Sequence, residues 1–293
     1  MHVLLTSAHG WVGSHITPLL LSAGHSVTGL ARSSTSAEKV KSLGVTPLLL
    51  GLDDPAGIAN FVKTSSVDAV IHTAFGHDFS KYMQNIADDL AVIKAIGAEL
   101  EGTGKPFITT FGLSAPREDQ APAQDSPNPR GRNEDAVQEL AGRGVRAMIV
   151  RLPPSVHGPK DAGFVPALIG CARNKGASAY IEGKGTWAAV HVKDAARLYM
   201  AVLGKGMAGG RYHAVGDTGV PFGEIAKAIA KGVGVEARAV EQAEVGQYVG
   251  FLAKFVDGDF DADVDITKKD LGWEPKEKGL LQDMKEGDYF DQK

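Results

Sequence analysis

The first strand of this 293-residue chain runs straight into a turn that leaves little choice of what can follow. Residues 2–6 are β-rich and residues 11–23 have the length and apolar content of a helix. Thr6-Ser7-Ala8-His9-Gly10-Trp11-Val12-Gly13 joins the two. A strand that passes so directly into a helix returns to its sheet by a crossover, which makes the next strand parallel to the first. The N-terminal half keeps that rhythm. β-rich runs at 26–30, 45–50 and 67–72 alternate with helix-length runs at 37–43 and 55–64. A long helical stretch at 79–100 and strands at 106–111 and 145–152 follow. The expected fold class is α/β, a Rossmann-type doubly wound parallel sheet with a smaller C-terminal substrate lobe. In the looser remainder, helix-length pieces fall at 164–174, 192–203, 221–231 and 245–255, with short strands at 177–181 and 210–215. This predicts a main domain over 1–160 to which 186–216 returns, and a lobe built from 161–185 and 217–293.

The turn also carries chemistry. Gly10 lets the backbone approach a pyrophosphate, Gly13 lets the helix lie close on the strand, and the free N–H groups at the helix start face the phosphates. Ser7 stands where such a fingerprint has its first glycine. Thr6, Ser7, Gly10, Trp11, Val12 and Gly13 are therefore expected to hold a dinucleotide. The discriminating position comes at the end of the second strand. A carboxylate about 20 residues past the glycines binds the ribose hydroxyl of NAD, yet no acid precedes Glu38, and Arg32 and Ser33 occupy the place. A guanidinium beside a hydroxyl suits a 2′-phosphate. The expected cofactor is NADP(H), with NADPH favoured over NADH.

Composition narrows the partners. With 43% hydrophobic and 23% charged residues the chain is globular, and a net charge of -4 gives no footprint for nucleic acid or an anionic membrane. The lone Cys171 offers no internal disulfide, the opening Met1-His2-Val3-Leu4-Leu5 has no basic leader, and no apolar run has membrane-spanning length. A cytoplasmic protein with a small-molecule substrate is expected. No metal is expected either, since the nine histidines show no ligand spacing and the acidic run 257–265 lacks the glycine and glutamate of a calcium loop.

Several further pieces occur in a telling order: Leu52-Asp53-Asp54, Val70-Ile71-His72-Thr73-Ala74-Phe75, Arg151-Leu152-Pro153-Pro154-Ser155-Val156-His157-Gly158, Val190-His191-Val192-Lys193-Asp194, and Leu271-Gly272-Trp273-Glu274-Pro275. With the turn, they make the chain resemble the extended short-chain dehydrogenase/reductase family in its atypical, epimerase/dehydratase-like branch. The resemblance implies that Asp53 lies near the adenine, Ala74 and Phe75 beside the cofactor's ribose and phosphates, and Pro153, Ser155 and Val156 near the nicotinamide. It implies structural roles for His191 and Asp194.

The same resemblance implies a Tyr-x-x-x-Lys pair on the helix after the fifth strand and a Ser or Thr at that strand's end. The tyrosine protonates a carbonyl oxygen, and the lysine charge lowers its pKa. Counting back from the sixth strand puts the pair at Ser126 and Arg130, and neither is the expected residue. Thr110, Ser114 and Arg130 are the catalytic candidates this leaves. Tyr180-Ile181-Glu182-Gly183-Lys184 has the literal spacing but lies in a strand and a glycine turn, not on one helical face, so the match reads as coincidence, and Tyr180 is kept as a further candidate donor. His157 is another candidate donor, although a packed histidine fits that place too, and His77, Tyr82 and Trp187 are candidates to line the pocket. The segment 114–130, with four of the chain's 14 prolines, is expected to cross the surface over the site.

Three functions stay open: an NADPH-dependent oxidoreductase reducing a carbonyl or activated double bond, a non-catalytic NADP(H)-binding sensor, and a non-redox isomerase or lyase on the same scaffold. The long helix resembles those that pair in family dimers, which makes a homodimer the expected assembly. Lys81, Asp88, Asp89 and Lys94 are expected to give its exposed face a polar character.

Overall fold

The structure is a computed structural model and describes residues 1–76, 78–123 and 129–291. Strands β1 (His2–Leu5), β2 (Ser26–Leu30), β3 (Thr46–Leu48), β4 (Ala69–His72), β5 (Pro106–Gly112) and β6 (Arg146–Leu152) build the N-terminal half. They alternate with helices α1 (Gly13–Ser22), α2 (Ser34–Ser42), α3 (Pro55–Thr64), α4 (Tyr82–Leu100) and α5 (Asn133–Gly142). There follow β7 (Ser155–His157), α6 (Phe164–Lys175), β8 (Ala177–Tyr180), β9 (Thr186–His191), α7 (Val192–Lys205), β10 (Arg211–His213) and β11 (Asp217–Pro221). The chain ends with α8 (Phe222–Val233), β12 (Glu236–Ala239), α9 (Gln242–Val249), α10 (Ala253–Val256), β13 (Asp259–Phe260), α11 (Asp265–Leu271) and α12 (Leu280–Glu286).

Seven parallel strands form the main sheet in the order β10-β6-β5-β4-β1-β2-β3. Helices cover both faces, so the central strands read as unbroken apolar runs. Adjacent residues face opposite sides. Val3, Leu5, Ile71, Ile108, Met148 and Val150 pack with residues of α1 and α7, whereas Leu4, Val70, Phe107 and Ile149 pack with residues of α3, α4 and α5. The chain leaves β1 toward β2 on one side and returns to β4 on the other. That reversal opens a crevice at the carboxyl ends of β1 and β4, the place where doubly wound sheets bind ligands.

Local chemistry sets the helix starts around this crevice. Ser33 and Ser36 form a reciprocal capping box at α2, and Asp54 caps α3 ahead of Pro55. Residues 114–123 depart from a plain surface crossing, because Ala115 and Glu118 are buried. Glu118 accepts hydrogen bonds from the N–H groups of His213, Ile266 and Thr267 and so ties this segment to α11.

Within 186–216, α7 packs against the main sheet and β10 is its edge strand, while β9 pairs with β7, β11 and β13 in a second sheet. Trp187 on β9 anchors a separate core with Phe222, Phe164 and Phe255, closed by α6, α8, α9 and α12. β8 and β12 form a parallel pair on this lobe. Among the described residues no helix is long and apolar enough to cross a membrane.

Candidate functional site

The turn after β1 closes on itself around Ser7. A Cβ on Gly13 would fall well inside contact with the Ser7 carbonyl, and one on Gly10 would overlap the Ser7 hydroxyl. Both glycines are therefore sterically required with serine at position 7. α1 has no side-chain N-cap; the Ser14 N–H donates to the Gly10 carbonyl at 2.8 Å and the His15 N–H to the Val12 carbonyl at 3.0 Å, so the turn winds directly into the helix and the positive end of the helix dipole stands at the turn. Thr6 is buried, and its hydroxyl oxygen accepts from the N–H groups of Thr73 (3.1 Å) and Ala74 (3.0 Å), drawing the segment after β4 against the turn. Trp11 reaches the other way, its indole N–H donating to the Val156 carbonyl at 2.9 Å. The residues at the ends of β1, β4 and β7 thus line one cleft.

Two buried hydroxyls beside this cleft, on Thr73 and Ser155, have no hydrogen-bond partner among the described residues. Leaving a buried hydroxyl unpaired costs about 1–3 kcal/mol, so both suit a polar ligand. With the glycine cradle and the uncapped helix, they fit a dinucleotide. Pro153 is buried next to Ser155, and Val156 is half-buried under Trp11.

The far end of the cleft is basic. Arg32 is exposed past the buried end of β2, and Gly51 sits between Arg32 and Asp53 so closely that a Cβ there would touch both side chains. Partial burial, then the positive charges of Lys39 and Arg32, push the His9 imidazole below its ordinary pKa. Arg32, Lys39 and His9 therefore share one patch beside the turn. Ser33, expected to join Arg32 there, has its oxygen engaged instead with Ser36 in the α2 capping box.

A buried polar chain leads from the turn to the opposite end. Thr6 Oγ1 lies 3.0 Å from His72 Nδ1, and His72 Nε2 lies 3.2 Å from Asp89 Oδ1. Asp89 also accepts from Asn133 Nδ2 at 3.0 Å and from the Arg130 guanidinium at 3.4 Å. Burial alone would raise the Asp89 carboxyl, but the His72 bond, the Arg130 charge and the Asn133 bond outweigh it and hold the pKa low. Arg130 stands in the 3-10 turn Pro129–Arg132 before α5, donates to the Thr110 carbonyl at 2.8 Å and lies 3.8 Å over the Phe75 ring. Tyr82 meets the same ring edge-on, with centroids 6.1 Å apart.

The sequence-derived catalytic candidates separate in space. Arg130 and Thr110 come together, but the Thr110 hydroxyl bonds the fully buried Tyr199 hydroxyl at 2.7 Å, turned into the core. Ser114 donates to Glu134, which is itself paired with Arg151 and Arg211 in a buried cluster. Tyr180 is not brought to the cleft. It is buried in the second core beside Gly223, with the Lys227 ammonium 5.6 Å from its ring, because it belongs to β8 of the lobe. His157 is buried and bonded to Asp283 at 2.9 Å, and Trp187 is a core residue. His191 caps α7, and Asp194 accepts from the N–H groups of Lys276 and Glu277. Ser126 and His77 lie outside the described residues.

Asp89 corrects the expectation of a polar outer face on α4, since it is 1% exposed. It falls with Ile86, Ile93, Ile96 and Leu100 on the buried stripe of that helix, and that spacing was the signal available in the sequence. His72 and Asn133 were passed over as well. Among the described residues no group of three or more His, Cys, Asp or Glu could hold a metal ion.

A sequence profile of the NAD-dependent epimerase/dehydratase family matches residues 3–98. An uncharacterized protein of Schizosaccharomyces pombe is 41% identical over 299 residues, covering 99% of this chain and 100% of that protein. A 4-hydroxy-2-methyl-3-oxo-4-farnesyl-3,4-dihydroquinoline-1-oxide ketoreductase of Stigmatella aurantiaca is 25% identical over 190 residues, 60% of this chain and 56% of that protein. The structure of UDP-glucose 4-epimerase from Thermotoga maritima with UDP-glucose matches with a TM-score of 0.77 over 99% of this chain and 98% of that one. At 18% identity, that likeness shows a shared fold.

Proposed function

The chain belongs to the NAD-dependent epimerase/dehydratase family, and from that premise we propose that it is an NADPH-dependent reductase of a small-molecule carbonyl or activated double bond. The observation that carries the cofactor choice is the exposed Arg32 guanidinium, with Lys39 near it, at the acid-free end of β2. A ribose hydroxyl asks for an acceptor there, whereas a 2′-phosphate asks for fixed positive charge. The ketoreductase activity named for the Stigmatella aurantiaca relative supports reduction of a ketone.

In this reading Thr6, Gly10, Gly13 and the start of α1 bind the pyrophosphate, and Thr73 and Ser155 offer their unpaired hydroxyls to the ribose and nicotinamide end. Bound NADPH supplies the hydride. Arg130 holds positive charge at the substrate end, fixed by Asp89, Phe75 and the Thr110 carbonyl. Fluorescence titration should give tighter binding of NADPH than NADH, followed by NADPH consumption with at least one member of a panel of aliphatic ketones, aromatic aldehydes and quinones. Equal affinities would overturn the cofactor assignment.

One observation favours a second reading, a non-catalytic NADP(H) sensor. Both hydroxyls near the end of β5, on Thr110 and Ser114, are engaged inside the protein. NADPH binding without consumption on any member of the panel would support the sensor.

A further inference from the structure

We propose that Tyr82 is the proton donor of this site, paired with the Arg130 guanidinium across the ring of Phe75 as a tyrosine–cation couple whose tyrosine is carried by α4 instead of α5. The inference rests on the reductase reading. Its geometry starts from Phe75 at the end of β4, whose ring lies under the Arg130 guanidinium at 3.8 Å and meets the Tyr82 ring at 6.1 Å and 73°. Both partners are held. Arg130 is fixed by Asp89 and by the Thr110 carbonyl at the end of β5. Tyr82 is the first residue of α4, and the approach to it is pinned by Asn85, whose amide donates to the carbonyls of Gly76 (3.0 Å) and Asp78 (2.9 Å). Gly76 allows no Cβ, which would collide with the Asn85 amide.

The charges around the phenol suit an acid in the reductive direction. Burial raises the Tyr82 pKa, the Arg130 charge lowers it, Asp89 raises it, and the net direction is upward. Tyr82 is therefore protonated and ready to donate at neutral pH. As the proton leaves, Arg130 and the positive end of α4 stabilise the phenolate that forms. In the balanced step, the hydride of NADPH bonds to the carbonyl carbon, the C=O π pair moves to oxygen, and that oxygen takes the phenolic proton. The products are an alcohol and NADP+, and solvent water reprotonates Tyr82. Ser126, where the family's tyrosine was expected, need then carry no acid function.

The test uses the full-length protein with the variants Tyr82→Phe and Arg130→Gln. Tyrosine absorbance is titrated with pH, and the ionisation of Tyr82 is taken as the difference between proteins with and without Tyr82→Phe. Removing the Arg130 charge should move that ionisation to higher pH, a shift with no dependence on turnover. NADPH fluorescence should show Tyr82→Phe binding within about twofold of the parent, while turnover of whichever panel carbonyl is reduced falls about 100- to 10,000-fold. Parent-like turnover by Tyr82→Phe, or an ionisation unmoved by Arg130→Gln, overturns the proposal. A parent protein that binds NADPH and reduces nothing overturns the reductase reading. The titration then decides the couple alone, movement upholding it and no movement overturning it.

Discussion

Replacing Asp89 with alanine should be the most damaging single change near the site. The carboxylate is 1% exposed and receives His72 at 3.2 Å, Asn133 at 3.0 Å and Arg130 at 3.4 Å. Its loss strands three donors, one of them a guanidinium with only 14% exposure. Removing one partner of a buried ion pair costs about 3–5 kcal/mol. The long Arg130 contact and the partial solvent access of Arg130 place this site near the lower end, at about 3 kcal/mol. At roughly 2–4 °C per kcal/mol for a large domain, melting should fall by roughly 6–12 °C. Asp89→Asn keeps one oxygen acceptor but loses the charge and turns the other oxygen into an NH2 donor facing donors, so it should cost less than Asp89→Ala while staying clearly destabilising. Because His72 links Asp89 to Thr6, Asp89→Ala should also weaken NADPH binding, and Asp89→Asn less so. Urea unfolding of the three proteins with and without NADPH measures both effects. An Asp89→Ala protein within about 1 kcal/mol of the parent would show that the chain from Thr6 to Arg130 is a set of independent contacts.

Other perturbations test the remaining parts. Arg32→Ala should weaken NADPH by about 10- to 100-fold, the worth of a hydrogen bond to a charged group, and leave NADH affinity unchanged in parallel titrations. Gly13→Ala forces a methyl against the Ser7 carbonyl, so it should abolish cofactor binding and lower stability by about 1–3 kcal/mol. Gly112→Ala, with open space around its Cβ position, should be silent in the same assays. His213 is buried with its pKa pushed down to about 4, by burial first and then the Arg151 charge. Above about pH 6.5 neither folded nor unfolded state carries its proton, whereas between about 6.5 and 4 only the unfolded chain takes it up. Stability should therefore fall with pH across that window, by about 3 kcal/mol in all, and His213→Gln should flatten the slope in pH-dependent urea unfolding.

The parts of the site legible in the sequence are those set by local covalent geometry. A turn whose glycines must lie under a helix, and an acid-free strand end, both act over a few residues, and the structure places them at one cleft around Thr6 and Gly13. The spacing of Tyr180 and Lys184 misled because spacing has meaning only on a known element. Residues four apart lie about 6 Å along a helix but about 13 Å along an extended strand. β8 ends at Tyr180 and Lys184 lies in the turn before β9, so the pair shares no element. Asp89 failed for the opposite reason. It sits on a recognised helix and in register with Ile86, Ile93 and Ile96, but a charge is habitually assigned to the wet side.

What local reading could not supply is the meeting of Tyr82 with Arg130, and its cause is topological. Tyr82 opens the helix after β4, and Arg130 lies in the turn before α5, on the connection that follows β5. β4 and β5 pair in parallel, with Val70 opposite Phe107 and His72 opposite Thr109. Their carboxyl ends therefore abut, and whatever follows each strand is delivered to the same place. Phe75, three residues past β4, and the Thr110 carbonyl, near the end of β5, are the surfaces on which Arg130 settles. An aromatic acid and a cation leaving neighbouring parallel strands need no shared helix to meet. On this sheet, Tyr82 and Arg130 reach one place from two sequence addresses.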